Sequence, residues 1–169
     1  MGGDDAIIVA LGSNLPAEFV SSEALLEAAL AQFQQAELPV LARSGWWRSA
    51  AWPDPTGKDY RNGVAIVEAN GPPEAVLEAL FAIERAFGRI RGEANAPRTL
   101  DLDLIAYGRR ISDGPSLVLP HPRAHERLFV MGPLAEIAPA WRHPVLGKTA
   151  ADLAAEATVG RDARPVHIG

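Results

Sequence analysis

Apolar residues along this chain follow two rhythms, short β-rich runs and longer stretches at helical spacing, and their order predicts the fold. Ala6 to Leu11 is an unbroken apolar run closed by Gly12-Ser13-Asn14, which reads as a buried first strand entering a mobile loop. Ser22 offers a cap for a helix over 23–36, in which Leu26, Leu30 and Phe33, joined by Leu25 and Ala29, make the core stripe. Pro39 to Ser49 reads as a strand, Trp52 to Asp59 as a loop rich in Pro, Gly and Asp, and Tyr60 to Glu68 as a further strand. Gly71-Pro72-Pro73-Glu74 starts a second helix whose stripe is Val76, Leu80, Ile83 and Phe87, with Gly88 placed to stop it.

Residues 99–107 form the next strand, Gly108-Arg109-Arg110 a hairpin turn, and Leu117 to Pro120 a short extended segment. Short helices are expected near Ala124–Met131 and Thr149–Ala157. The order β-α-β-β-α-β predicts an α+β fold: a ferredoxin-like sandwich with a mainly antiparallel sheet, two helices on one face, and C-terminal additions. One domain is expected over 1–169, with a core of about 6–157 and a tail over 158–169.

Composition narrows the function. At 169 residues, 48% hydrophobic and 22% charged, the chain can bury a core without staples, and with no cysteine it has no disulfide, thiolate metal site or thiol nucleophile. The net charge of −5 argues against a surface that grips nucleic acid, and no apolar run approaches the length of a membrane span. A cytoplasmic protein is expected, without nucleic-acid or membrane partners and monomeric.

Candidate chemistry concentrates around Arg98-Thr99-Leu100-Asp101-Leu102-Asp103-Leu104-Ile105. Alternation along a strand puts Asp101 and Asp103 on one face and the leucines on the other. Two like charges about 7 Å apart repel, and a divalent cation would compensate them. Arg89, Arg91 and Arg98 precede the pair closely, and planar guanidinium forks suit phosphate oxygens. Together these are the parts of a magnesium-dependent phosphoryl transfer; separately, the arginine loop reads equally as a solvated loop, and the aspartate pair more often as a solvated strand face than as a metal site.

Pro97-Arg98-Thr99-Leu100-Asp101-Leu102-Asp103 resembles the signature of hydroxymethyldihydropterin pyrophosphokinases, enzymes of the folate pathway. Leu11-Gly12-Ser13-Asn14, Tyr60-Arg61-Asn62-Gly63, the segment Glu84 to Arg91, Pro120-His121 and Arg127-Leu128-Phe129 resemble further motifs of that family in the same order. The resemblance implies transfer of pyrophosphate from ATP to the hydroxymethyl group of a reduced pterin, releasing AMP. It implies two Mg²⁺ ions on Asp101 and Asp103, catalytic roles for these with Arg89 and Arg98, and nucleotide contacts from Glu84, Arg89, Arg91, Arg98, Leu104, His121 and Arg127. For the pterin it implies Ser49, Trp52, Tyr60, Asn62 and Phe129.

An amide at Asn62, in a strand otherwise reading Val64 and Ile66, needs partners. Phe129 reads also as core packing, and His125, His143 and His167 as structural or solvent-facing. Trp46 and Trp47 point to opposite faces, so at least one belongs to a core. Asn95, Ser116, Val118, Pro122 and Ala50 depart from residues frequent in the family. The competing readings are a ferredoxin-like module that binds a small molecule or RNA without turnover, and another magnesium-dependent phosphotransferase.

Overall fold

Strand β1 (Ile7–Ser13), with Ile8 to Leu11 buried, takes a central place in the sheet. It pairs antiparallel with β4 (Tyr60–Val67) on one side and with β5 (Asp101–Tyr107) on the other. Beyond β4 lie β2 (Val40–Arg43) and β3 (Trp47–Ser49), and β8 (Arg164–Pro165) pairs with β3. The computed structural model describes residues 5–13, 21–50, 59–87 and 100–166. Among these the fold is α+β, with every strand pair of the main sheet antiparallel.

Helices α1 (Ser22–Phe33) and α2 (Pro73–Ala86) cover one face of the sheet. Leu25, Leu26, Ala29, Phe33, Val76, Leu80 and Ile83 pack there on Val9, Leu11, Leu100, Leu102 and Leu104. The N-cap of α1 is Ser21 rather than Ser22: its hydroxyl accepts the N–H of Ala24 at 3.1 Å. Ser21 has the extended backbone that a cap requires, and such a bond is worth about 1 kcal/mol. The helix stops at Phe33, ahead of the expected 36, because Glu37 turns with φ 63° and the Leu38 N–H closes onto Phe33 O at 2.9 Å.

The opposite face is covered too. α3 (Leu128–Ile137) and α4 (Ala150–Glu156) bury Met131, Leu134, Ala150 and Leu153 with Trp141 against Ile8, Val64, Ile66 and Ile105. The helix expected over 124–131 is a 3₁₀ turn (Ala124–Glu126) followed by α3, which continues through Pro133. Packing overrides the proline: the bare Gly132 seats the Trp47 ring, and the Glu136 carboxylate accepts Trp47 Nε1–H at 3.0 Å and Gly45 N–H at 2.7 Å.

The expected strand 39–49 is two strands. Between them Ser44 Oγ accepts the N–H of Val64 at 3.0 Å, and Trp46 turns to the α1 face, where its indole N–H reaches Glu27 at 2.9 Å. Trp46 and Trp47 do take opposite faces. The turn after β5 forms, with Gly108 at φ 59°, but it does not make a hairpin with β5: β6 (Ser112–Asp113) pairs instead with β7 (Val118–Leu119) in a separate two-stranded arm. Gly12 and Ser13, expected in a loop, belong to β1.

His143 is a structural residue. It is 5% exposed, and its Nδ1 accepts the N–H groups of Val145 and Leu146 at 3.2 and 3.1 Å, which requires a neutral ring. Burial, then the neighbouring His125 and Arg109, push its pKa down from 6.5 to about 4. The unfolded chain therefore takes up a proton that the folded one refuses, and stability present above pH 6.5 is lost as pH falls toward about 4. We expect up to about 3 kcal/mol of this loss to trace to His143, read as urea midpoints across that window. His143→Asn, which keeps an acceptor near Nδ1 but cannot titrate, should flatten the pH dependence; an unchanged profile would contradict the assignment.

Candidate active site

The register of three strand pairs lays a row of residues across the sheet. Asp101 pairs with Gly12, Gly12 with Asn62, and Asn62 with Trp47, so all four share the face toward α3. Asp103 and Ala10 form the next row on that face. At about 4.8 Å per strand, Asn62 stands roughly 10 Å from Asp101 across the bare Gly12. A Cβ on Gly12 would lie 3.1 Å from Asn62 Oδ1, so the missing side chain keeps the floor between them open.

Where α3 begins, this face is uncovered and a cavity of about 330 Å³ remains. Ser49, Ala50, Tyr60, Asn62, Asp101, Asp103, Arg127 and Phe129 line it, over a floor that includes Ala10 and Gly12. Asn62 is 7% exposed, and its amide N–H donates to Ser49 Oγ at 3.0 Å, which orients it within the strand. The Arg127 guanidinium lies 5.8 Å from the Phe129 ring centroid. Phe129 is half-buried at the rim, so the packing role open to it in sequence is only part of its place.

A second cavity, about 310 Å³, opens beside β5 between α2 and the β6–β7 arm. Leu77, Phe81, Leu102, Leu104, Leu117 and Val118 give it apolar walls, with Ser116, His121, Pro122 and Asp103 at its polar side. Asp103 lines both cavities. His121 is held by its N–H to Ile105 O at 2.8 Å. Its ring pKa lies below the ordinary value because burial outweighs the attraction of Asp103, with Arg127, Arg123 and His125 adding to the depression.

Glu84 stands apart from both cavities. It is fully buried, and its carboxylate accepts the N–H of Leu102 at 2.8 Å, which ties α2 to β5 between the two aspartates. In this structure the side chain expected to contact the nucleotide holds the strand that carries Asp101 and Asp103.

Of the residues expected from sequence, the structure gathers Ser49, Tyr60, Asn62, Asp101, Asp103, Arg127 and Phe129 around the first cavity, and Asp103, Leu104 and His121 around the second. Trp52, Arg89, Arg91 and Arg98 lie outside the described residues. Gly12, Leu77 and Phe81 were missed as lining residues. Leu77 and Phe81, four apart and one position from the core stripe of α2, carry a legible signal: an apolar face wider than one sheet contact needs.

Among the described residues no group of three or more His, Cys, Asp or Glu side chains could hold a metal ion, and no helix is long and apolar enough to cross a membrane. Two carboxylates with open space on either side still fit Mg²⁺, which binds through one or two carboxylates and completes its shell with phosphate oxygens and water.

The sequence matches the family 7,8-dihydro-6-hydroxymethylpterin-pyrophosphokinase (HPPK) over residues 8–139. It is 45% identical over 143 residues to a 2-amino-4-hydroxy-6-hydroxymethyldihydropteridine pyrophosphokinase of Synechocystis sp., covering 84% of this chain and 71% of that one. The Pseudomonas aeruginosa protein of the same name is 39% identical over 143 residues, with 82% and 83% covered. Among solved structures, wild-type Plasmodium falciparum HPPK-DHPS superposes with a TM-score of 0.72 at 11% identity, a likeness of fold. It covers 96% of this chain and 48% of that one, so this chain spans about half of that protein. Both cavities fall within the matched residues, and the chain belongs to the 7,8-dihydro-6-hydroxymethylpterin-pyrophosphokinase family.

Proposed function

We infer that the protein transfers the terminal pyrophosphate of ATP to the hydroxymethyl oxygen of 6-hydroxymethyl-7,8-dihydropterin, releasing AMP, a step of folate biosynthesis. The observation that carries this reading is the meeting of two cavities at Asp103. The first suits a flat heterocycle: Tyr60 and Phe129 offer ring faces, and Asn62 offers amide hydrogen bonds to a polar edge. The second suits a nucleotide, with Leu104, Leu77 and Phe81 for the base and His121 toward the phosphates. The strand order β5-β1-β4-β3 supports a ferredoxin-like core, with β8 added at its edge.

In the reaction the hydroxymethyl oxygen forms a bond to the β-phosphorus, and the bond from that phosphorus to the oxygen bridging the α-phosphate breaks. AMP leaves with that oxygen, and the hydroxyl proton passes to solvent water. Asp101 and Asp103 would hold two Mg²⁺ ions, which would supply positive charge to offset the negative charge at the attacked phosphorus. The chain's own part is placement: Asn62, oriented by Ser49, sets the pterin's direction, and the row through Gly12 sets its distance from Asp101. Glu84 keeps β5 in place, so both carboxylates present to the junction. His121 and the Arg127 guanidinium stand on either side of the same junction, with Arg89, Arg91 and Arg98 proposed to clamp the phosphates.

Incubation with ATP, Mg²⁺ and the hydroxymethyl pterin should yield AMP only when the pterin is present. Appearance of ADP or free phosphate would favour a different phosphotransferase, and binding without turnover a non-catalytic module. Asp103→Ala, at an exposed position, should leave the fold intact and lower turnover by about a hundredfold or more; retained activity would remove it from the metal site. Gly12→Ala should raise the pterin KM about tenfold by filling the floor beside Asn62, with the ATP KM unchanged. Equal effects on both KM values would place Gly12 elsewhere than under the pterin.

A further inference from the structure

The chain beyond Ala157 lies outside the residues matched to the family, yet it is fastened to residues that wall the first cavity. Thr158 and Val159 donate their N–H groups to Glu126 O at 3.0 and 2.9 Å, and Val159 O accepts the Leu128 N–H at 2.9 Å. The segment is thereby fastened on both sides of Arg127. Gly160, at φ 68°, then turns against Phe129, where a Cβ would lie 2.5 Å from Phe129 Cδ1. The bare backbone of Gly160 is the seat of that ring.

The same segment crosses to the other wall. Asp162 Oδ2 accepts the N–H of Ala50 at 2.7 Å, Arg164–Pro165 pairs with Arg48 and Trp47, and Val166 N–H reaches Trp46 O at 2.9 Å. Ala50 and Phe129 both line the cavity; Ala50 directly follows β3 and Phe129 lies in α3, elements whose spacing decides how wide the slot is. A side chain at the rim, such as Phe129, has freedom to rotate unless something backs it. Here the backing is Gly160 together with the Arg127 guanidinium.

We propose that residues 158–166 position the pterin site, with Gly160 setting the depth of the Phe129 ring and Asp162 holding the Ser49–Ala50 edge opposite the α3 rim. The proposal rests on reading the first cavity as the pterin site. A clip that merely stabilised the domain would affect both substrates alike, whereas a positioning element acts on one.

The test is AMP formation by the full-length protein, with KM for pterin and for ATP measured in Gly160→Ala, Asp162→Ala, Asp162→Asn and Phe129→Ala, alongside urea midpoints. Gly160→Ala should raise the pterin KM about tenfold, because the ring must shift outward. Asp162→Ala should raise it about threefold, and Asp162→Asn, which keeps an oxygen acceptor, should recover most of that loss. The ATP KM should stay at its wild-type value in all of these. Should Gly160→Ala fail to fold, the two substitutions at the exposed Asp162 decide the question. If Phe129→Ala raises the pterin KM while the tail variants leave it unchanged, or change both KM values equally, the positioning role is wrong and the pterin site stands. If Phe129→Ala leaves the pterin KM unchanged, the cavity is not the pterin site and the proposal falls with it.

Discussion

The register of β1 between its two neighbours is the constraint on which the site depends. Because β1 pairs with β4 and β5 at once, Asp101, Gly12 and Asn62 come into line across three strands. A slip of one residue in either pairing would send the aspartates or the asparagine to the helix-covered face, where their charge or amide would be buried without compensation. Burial of Ile8 and Val9 on opposite faces, each fully enclosed, prevents that slip. The packing of one strand thus sets the distance between the places proposed for the pterin and the metal ions.

Covering both faces of the sheet adds the second requirement. α1 and α2 cover one face except for the second cavity beside β5, while α3 and α4 cover only part of the other and leave the polar end of β1, β4 and β5 open. The opening is where α3 begins, and Arg127 and Phe129 sit there because they precede and start that helix. β5 lies at the outer end of the sheet, and the buried Glu84 carboxylate takes up the Leu102 N–H from the side of α2. An unpaired buried N–H costs on the order of 1–3 kcal/mol, so the bond both stabilises the strand and fixes the carboxylates flanking it.

Much of this was legible in the residues. The alternation in 100–105 separated the aspartates from the leucines, and the structure places the leucines in the α2-side core and the aspartates at the cavities. Asn62 was identified because an amide among Val64 and Ile66 needs a partner, and Ser49 is one. The misses have physical causes. Ser21 rather than Ser22 caps α1 because adjacent serines offer equal chemistry and only the backbone turn chooses between them. The helix expected near Ala124–Met131 runs on through Pro133 to Ile137 because Trp47 seats on Gly132 and Glu136 bonds Trp47 and Gly45.

By itself the sequence determined which side chains face together along each strand and helix, and hence the α+β order and the carboxylate pair. Those properties follow from local periodicity, which acts over a few residues. Tertiary structure alone decided that Gly12 is a floor, that Glu84 holds a strand, and that the segment after Ala157 returns to touch Phe129 and Ala50. Each depends on close approach between residues far apart in the chain, and periodicity carries no record of which distant backbone will lie against a bare glycine or a buried carboxylate.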